Sequence, residues 1–227
     1  MSELSQIELR GLRRGRDVQG AVLVLNGTPR AELRRATDLA SRLVDRFTLV
    51  AVDGGLKTCR AGGRRPDLWV GDGDSSRTIP TGIPTVVYPT DKSFSDLGGA
   101  LNEVARRGAR VVVVAGLIGG RLDHEWTNLQ ELGAHAASFA GILAPTGRGN
   151  VLVTRRGCHA RTAPGETVSL VVLGGAATVT LRGTHWRLDR RRLRPGSRGL
   201  SNVTGEQLDL IVHNGAVALI FPLAARR

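Results

Sequence analysis

Acidic residues stand beside glycines or at predicted helix starts at four points in the first 125 residues of the chain. The four segments are Asp53-Gly54-Gly55, Gly71-Asp72-Gly73-Asp74-Ser75, Ser95-Asp96-Leu97 and Gly119-Gly120-Arg121-Leu122-Asp123-His124. They carry five aspartates, which would repel one another in a common site unless a cation lay between them. Magnesium suits such a site because it takes oxygen ligands and shares them with phosphates. The segments therefore predict a site for a metal and a phosphorylated ligand.

The glycines and two basic side chains support the phosphate part of this prediction. Glycine lets the backbone approach a phosphate closely, and free N–H groups at loop and helix starts can bind its oxygens. Arg121 could neutralise phosphate charge as a planar fork and Lys92 as a point charge. Each aspartate could instead cap a turn or a helix. That interpretation is favoured for any one aspartate, but not for five of them at four strand ends.

Hydrophobic patterning places these segments at the ends of strands. Short apolar runs predict strands at residues 21–25, 48–52, 68–70, 85–88 and 111–115, and helical spacing predicts helices over residues 31–43, 95–107 and 123–137, with Ser95 as an N-cap. Alternating strands and helices indicate a doubly wound, mostly parallel α/β sheet. Ligands of such sheets bind outside the carboxyl ends of the strands. We therefore expect the five aspartates to share one crevice.

The pattern changes after Pro145. The runs VLVT, TVSLVVL, ATVTL, LDLIVH and AVALIF follow at close spacing with Gly or Pro between them, which indicates a small all-β unit, a β-sandwich. The predicted organisation is a flexible basic tail over residues 1–19, an α/β catalytic domain over residues 20–145, a linker over residues 146–150 and a β-sandwich over residues 150–227.

Composition narrows the class of protein further. The chain has 227 residues and a net charge of +12, yet only Lys57 and Lys92 are lysines, so 30 of the 32 basic residues are arginine. A codon-composition bias explains much of this charge, and no nucleic-acid reader motif accompanies it, so we expect no nucleic-acid partner. The longest apolar run, residues 111–118, is too short to span a membrane, and the arginine-rich start has no signal-peptide pattern. Two cysteines cannot form a disulfide framework. We expect a soluble cytoplasmic protein.

The motifs resemble those of the thiamine pyrophosphokinase (thiamin diphosphokinase) family, and the likeness covers residues 21–223. Besides the four acidic segments, Gly183-Thr184-His185-Trp186-Arg187-Leu188 resembles the family's Gly-Leu-Lys-Tyr-Pro-Leu segment, and Leu200-Ser201-Asn202 resembles its Ile-Ser-Asn. The resemblance implies an α/β catalytic domain, a β-sandwich that helps to hold thiamine, and a homodimer with active sites between subunits. It implies transfer of the β,γ-pyrophosphoryl group of ATP, with Mg²⁺, to the thiamine hydroxyl, with release of AMP.

The resemblance and the charges together assign roles to the acidic and basic side chains. Asp72, Asp74 and Asp96 would bind Mg²⁺. Asp123 would accept a hydrogen bond from the thiamine hydroxyl or hold a metal-bound water. Lys92 and Arg121 would stabilise the phosphoryl oxygens during transfer.

Other residues are predicted to bind the nucleotide or thiamine. The nucleotide set is Asp53, Gly54, Gly55, Gly119, Gly120 and Asn128. Asp53 could equally bind the metal or fix its own turn, and His124 is expected to be a structural hydrogen-bond partner rather than the base. Ser201 and Asn202 could pair with the thiamine pyrimidine and Trp186 could stack on it, although a buried Trp186 is the competing interpretation. Trp69 and Trp126 are expected to pack.

One position departs from the family pattern. Where the family has Lys-Asp-x-Thr-Asp, the chain has Lys92-Ser93-Phe94-Ser95-Asp96. Ser95 keeps a hydroxyl, but Ser93 removes a carboxylate that could bind or orient the metal. Two alternatives therefore stay open: a pyrophosphokinase of similar fold acting on a hydroxymethylpterin, and a non-catalytic descendant that binds nucleotide. The five retained aspartates argue against the second.

Overall fold

The computed structural model of the protein describes residues 6–12, 17–74 and 79–223, and its first half alternates strands with helices. The elements are β1 (Ile7–Leu9), β2 (Gln19–Val24), α1 (Arg30–Leu43), β3 (Arg46–Val52), α2 (Gly55–Ala61), β4 (Leu68–Gly71), β5 (Thr85–Val87), α3 (Asp96–Arg106), β6 (Val111–Ala115) and α4 (Leu122–His135). The strands predicted from apolar runs are all present. Helix α2 was not predicted, because it has only seven residues and begins at the second residue of a Gly-Gly pair that is typical of a turn.

Strands β2 to β6 of this half form a parallel sheet in the spatial order β6-β2-β3-β4-β5. The apolar residues of α1 and α2 pack in one buried cluster with Val22 and Val24, and those of α3 and α4 pack in a second cluster with Leu23. Alternate residues of β2 therefore face opposite sides of the sheet, and helices cover both. The predicted N-cap is confirmed, since the Ser95 hydroxyl accepts a hydrogen bond from the Gly98 N–H at 3.0 Å.

The second half contains strands only, apart from a 3₁₀ turn over residues 136–138. These are β7 (Gly141–Thr146), β8 (Gly149–Thr154), β9 (Gly157–Arg161), β10 (Thr167–Thr184), β11 (Leu188–Leu193) and β12 (Asn202–Pro222). Strand β7 is parallel to β6 and antiparallel to β8, and β12 pairs with both β8 and β9. Strand β10 pairs with β11 and β12. The fold is thus a mixed sheet that continues from the parallel half into the β-rich half.

The segment predicted as a linker is a tight turn inside this sheet. Thr146 and Gly149 are paired across the β7–β8 hairpin, and the Thr146 hydroxyl donates to the Gly149 carbonyl at 2.7 Å. Gly149 has a φ of 154° and lies against the backbone of β12. A Gly-rich hairpin turn and a Gly-rich linker have the same composition, so the sequence could not separate them.

The N-terminal segment is ordered where the structure describes it, which corrects the prediction of a flexible tail there. Strand β1 pairs antiparallel with β9, with Ile7 opposite Ala160, and Ile7 is buried. The Arg10 side chain then bonds Asp209 of β12 at 2.5 Å. Residues 1–5 and 13–16 of the predicted tail lie outside the described residues. Within the described ranges, no helix is long and apolar enough to cross a bilayer.

Candidate active site

Asp53 stands at the carboxyl end of β3 in a constrained backbone position. Its φ is 43°, in the left-handed region that only a few non-glycine residues adopt. The Asp53 N–H donates to the Val70 carbonyl at 2.8 Å, and the buried Trp69 indole N–H donates to the Asp53 carbonyl at 3.0 Å. The next element begins at Gly55, where a Cβ would overlap the Val24 carbonyl oxygen. Strands β2 and β4 therefore fix the turn that carries Asp53.

Three carboxylates meet at this edge of the sheet. Asp53, Asp72 and Asp74 each offer an oxygen, and these three oxygens lie within 4.8 Å of one another. Asp72 Oδ1 accepts the Asp74 N–H at 3.1 Å, which holds the second loop in place. Asp53 Oδ1 is buried and has no hydrogen-bond partner among the described residues. A buried carboxylate oxygen without a donor, beside two further carboxylates, fits a divalent cation with oxygen ligands.

Lys92 links this cluster to Asp96. Its Nζ lies 2.5 Å from Asp72 Oδ2 and 3.0 Å from Asp96 Oδ1, and its side chain is only 7% exposed. Burial opposes the charge on Asp72, yet the hydrogen bonds from Lys92 and the Asp74 N–H outweigh it and lower the pKa of Asp72. Burial likewise opposes the Lys92 charge, but the bonds to Asp72 and Asp96 raise the pKa of Lys92. Burial, with repulsion from Asp72 and Asp53, raises the pKa of Asp96 despite Lys92.

The structure thus groups the predicted metal ligands differently from the sequence. Asp72 and Asp74 come together as predicted, and Asp53 joins them directly. Asp96, in the first turn of α3, is connected to the other carboxylates through the Lys92 ammonium. Ser75, which belongs to the same predicted motif, lies outside the described residues.

Asp123 is not one of the three carboxylates whose oxygens lie within 4.8 Å of one another. That all five aspartates share one crevice stays a prediction. Asp123 is exposed in the first turn of α4, where Arg121 donates to its two oxygens at 3.2 and 2.6 Å. These bonds lower the pKa of Asp123. The His124 N–H also donates to it, at 3.0 Å. Asn128, about one turn further on, is half-buried and donates to the Leu117 carbonyl at 3.5 Å.

The Gly119 and Gly120 amides, predicted to bind phosphate, already have an anionic partner. Both N–H groups donate to Glu125 Oε1, at 2.6 and 3.0 Å. Two adjacent amides that converge on one anionic oxygen have the geometry of an anion site. Glu125 was not predicted, although an acid in the first turn of a helix after a Gly-Gly pair is a usable signal.

A second missed residue supports the loop after β6. Glu32 of α1 is buried, and its Oε1 accepts the Gly116 N–H at 2.6 Å. Burial raises the pKa of Glu32 in spite of that bond. Gly116 has a φ of 85°, and a Cβ there would overlap Thr28. Glu32 and Thr28 therefore shape the start of the loop that leads to Gly119. The sequence shows Glu32 only as one acid on an amphipathic helix, so no local signal marks it.

The predicted thiamine-binding residues lie together in the β-rich half, but in different roles. Trp186 is 58% exposed, which excludes the buried interpretation, and His185 contacts it edge-to-face with ring centroids 5.0 Å apart. Asn202 is buried. Its side-chain oxygen accepts a hydrogen bond from the Trp186 N–H at 3.0 Å, and its side-chain nitrogen donates to the Trp186 carbonyl at 2.8 Å. It therefore holds the Trp186 loop rather than offering free hydrogen bonds. Ser201 is exposed with a φ of 57°.

The two other tryptophans differ from each other. Trp69 is fully buried, as predicted. Trp126, which was expected to pack, is 66% exposed on α4, and Leu122 beside it is 80% exposed. These side chains line a cavity of about 850 Å³ together with Arg121, Asp123 and Thr127. An apolar surface thus lies next to Asp123.

A parallel α/β sheet with an acidic cluster at its carboxyl edge, joined to a β-rich half with an exposed tryptophan, is typical of a phosphoryl-transferring enzyme with a separate substrate-binding part. Comparison with known families agrees. Residues 41–140 match the catalytic domain of thiamin pyrophosphokinase, and residues 157–213 match its vitamin B1 binding domain. The chain belongs to the thiamin pyrophosphokinase family, and its activity is the ATP-dependent pyrophosphorylation of thiamine. The sequence-based assignment is confirmed.

Solved structures agree on the fold. Thiamine pyrophosphokinase from Bacillus subtilis superposes with a TM-score of 0.72 at 18% identity, covering 90% of this chain and 100% of that one. Thiamin pyrophosphokinase from Geobacillus thermodenitrificans superposes with a TM-score of 0.69 at 22% identity, covering 91% of this chain and 99% of that one. Thiamin pyrophosphokinase from Candida albicans superposes with a TM-score of 0.66 at 14% sequence identity, and the match covers 98% of each chain. No curated protein sequence matches the chain significantly.

Proposed function

We propose that the acidic cluster holds Mg²⁺ and that the reaction depends on it. The observations that carry this proposal are the three carboxylate oxygens that Asp53, Asp72 and Asp74 offer within 4.8 Å of one another, and the buried Asp53 Oδ1, which has no hydrogen-bond partner among the described residues. Asp96 completes the ligand set on the α3 side. When bound there, Mg²⁺ would neutralise charge on the ATP phosphates and fix their orientation.

The side chains around the cluster act on the two substrates. Lys92 and Arg121 donate to phosphoryl oxygens, and the amides of Gly119 and Gly120 bind phosphate once Glu125 releases them. Asp123 accepts the hydrogen bond of the thiamine hydroxyl and so orients it. Because its pKa is lowered, Asp123 is a weak base and is better suited to orienting the hydroxyl than to keeping its proton. The hydroxyl oxygen forms a bond to the β-phosphorus and loses its proton to solvent water, the bond from that phosphorus to the α,β-bridging oxygen breaks, and AMP leaves.

We propose that two copies of the chain build the site, with the α/β domain (residues 20–145) of one facing the β-sandwich domain (residues 150–227) of the other. Two exposed apolar surfaces support this: Leu122 with Trp126 beside Asp123, and Trp186 in the β-rich half. Surfaces of this kind mark interaction sites in soluble proteins. The free cysteines, Cys59 and Cys158, are both buried thiols, which fits a reducing, cytoplasmic compartment.

The first experiment measures the reaction and the metal requirement together. The purified protein is incubated with ATP, MgCl₂ and thiamine, and thiamine diphosphate and AMP are separated by chromatography, with and without EDTA. We expect equimolar products that require Mg²⁺, and a loss of at least about a hundredfold in Asp72→Ala. Asp38→Ala, an exposed carboxylate of α1, is the matched control and should keep full activity. Product formation that persists in EDTA or in Asp72→Ala would overturn the metal assignment.

A subunit-mixing experiment tests the shared site. If Asp72 and Trp186 of different copies serve one site, mixing inactive Asp72→Ala with inactive Trp186→Ala restores one intact site in each heterodimer. Random exchange then recovers about a quarter of the wild-type activity. No recovery after verified exchange would place both residues in a site built by one copy. If thiamine is not converted, a hydroxymethylpterin is the next substrate to test.

A further inference from the structure

Lys92 occupies an unusual position for a residue expected to bind phosphate. Its side chain is 7% exposed, and its ammonium lies between two carboxylates that we assign to the metal, Asp72 and Asp96. Both oxygens of Asp72 are engaged by protein donors, Oδ1 by the Asp74 N–H and Oδ2 by Lys92. Among the carboxylates around Lys92, Asp53 Oδ1 is buried without a hydrogen-bond partner in the described ranges and is not one of the oxygens paired with Lys92. In this arrangement the ammonium serves as the cation of the cluster.

A divalent cation that binds Asp72 must compete with this ammonium. Asp72 Oδ2 is 2.5 Å from Lys92 Nζ, so a metal at coordination distance from that oxygen would lie close to a second positive charge. The ammonium is a compact charge on a flexible stem with three donors. It can leave Asp72, keep its contact with Asp96, and present its other N–H groups to an anion.

Resting on the proposed function of the site, we propose that Lys92 is a coupling residue: bound metal displaces its ammonium from Asp72, and the released ammonium then binds a phosphate oxygen. Metal alone therefore binds weakly, because it must break the Lys92–Asp72 ion pair. Metal and a di- or triphosphate bind together more tightly, because the phosphate gives the ammonium a new partner. By linkage, each ligand raises the affinity of the other by the same factor.

The wild-type protein offers a direct test, because Lys57 and Lys92 are its only lysines. With ¹⁵N-labelled lysine, ammonium spectra contain two candidate signals, and Lys57 is exposed on α2 and serves as the internal reference. In EDTA we expect a protected Lys92 signal, which shifts when MgCl₂ is added alone and shifts again with inorganic pyrophosphate. A Lys92 signal that stays unchanged at saturating Mg²⁺ overturns the proposal.

Metal affinity provides the second test. Calorimetric titration with MgCl₂ in the absence of nucleotide should show about tenfold tighter binding in Lys92→Met, because the competing charge is gone. Lys92→Arg keeps the charge and should bind metal as the wild type does, and Lys57→Met is the matched control. Inorganic pyrophosphate should raise the metal affinity of the wild type more than that of Lys92→Met. Equal or weaker metal binding by a folded Lys92→Met protein contradicts the proposal.

These readouts separate the two proposals. Failure of the Mg²⁺-dependent reaction is read by chromatography of the products of the wild-type protein, which involves no lysine variant. Failure of the coupling is read from the lysine spectrum and from metal affinity, which need no thiamine. If Lys92→Met does not fold, the wild-type spectrum still decides the outcome.

Discussion

Replacing Asp53 with Asn should stabilise the protein while removing its activity. Asn tolerates the positive φ of this position about as well as Asp does, so the change isolates the charge. The Asp53 oxygen lies within 4.8 Å of oxygens of Asp72 and Asp74. At an effective dielectric of about 20, two unit charges at that distance repel by roughly 3 kcal/mol.

Two effects reduce the stability gained by removing the Asp53 charge. Lys92 already offsets much of the charge of Asp72, and the new amide would be as poorly partnered as the Asp53 oxygen it replaces, at a cost of about 1 kcal/mol. We therefore expect Asp53→Asn to raise the free energy of unfolding by about 2 kcal/mol in EDTA. For a chain of this size, that raises Tm by roughly 4–8 °C.

The assay is thermal unfolding in EDTA and in MgCl₂, with Asp38→Asn on the exposed face of α1 as the control. Mg²⁺ should raise the Tm of the wild type by binding only the folded state, and should leave Asp53→Asn nearly unchanged. Thiamine diphosphate formation should fall at least about a hundredfold. A lower Tm for Asp53→Asn in EDTA would refute the reasoning, because it would mean that the carboxylates do not repel one another in the metal-free protein.

Three further predictions follow from the same structure. Gly55→Ala should cost about 3 kcal/mol or more in denaturant unfolding, because its Cβ would overlap the carbonyl oxygen that ends β2. Gly120→Ala, whose Cβ would meet nothing within 4 Å, should cost less than about 1 kcal/mol, and equal costs would contradict the packing argument. Glu125→Gln should lower the KM for ATP several-fold, since a neutral amide holds the loop N–H groups less tightly than a carboxylate does; an unchanged KM would mean that phosphate does not use these amides. Burial raises the pKa of Cys59 to about 11 and of Cys158 to about 12, so both thiols should resist a thiol reagent at pH 8 until the chain is unfolded. Because both folded-state pKa values lie above the ordinary value of 9.0, the contribution of these neutral thiols to the free energy of unfolding is fully present below pH 9. It is lost as the pH rises from 9 to about 11 for Cys59 and to about 12 for Cys158, which pH-dependent unfolding would show.

Most elements of the α/β half, with α2 as an exception, could be predicted because each has a local cause. The run Val111–Ala115 is buried on both faces, and Ser95 supplies the first hydrogen bond of α3. The pairing of β1 with β9 could not be predicted, because it joins residues about 150 positions apart and Ile7–Leu9 is too short for a periodic signal. The continuity of the sheet through the β7–β8 turn was hidden for a related reason, since turn composition does not report which strands pair.

The positions of the acidic side chains were more predictable than their hydrogen-bond partners. Aspartates at strand ends could be assigned to one edge of the sheet by topology alone, and Asp72 and Asp74 met there. The sequence could not show that Asp123 turns to Arg121, or that the amide of Asn202 is used by the Trp186 backbone. Such pairings depend on side-chain rotamers and on a few ångströms of loop geometry, which residue spacing does not determine.

These pairings have a consequence for how the site binds its substrates. Lys92 is paired with Asp72, and the Gly119 and Gly120 amides that we propose to bind phosphate are paired with Glu125. In the proposed function, ATP and Mg²⁺ would therefore exchange partners with these groups rather than meet free charges, so each contact would contribute only the difference between two ionic interactions. Asp53 differs, because its buried oxygen has no hydrogen-bond donor among the described residues. A metal bound there would add an interaction without breaking one, so its contact with Asp53 would contribute its full binding energy. Substitution of Asp53 should therefore remove activity while raising stability, more clearly than substitution at the other positions.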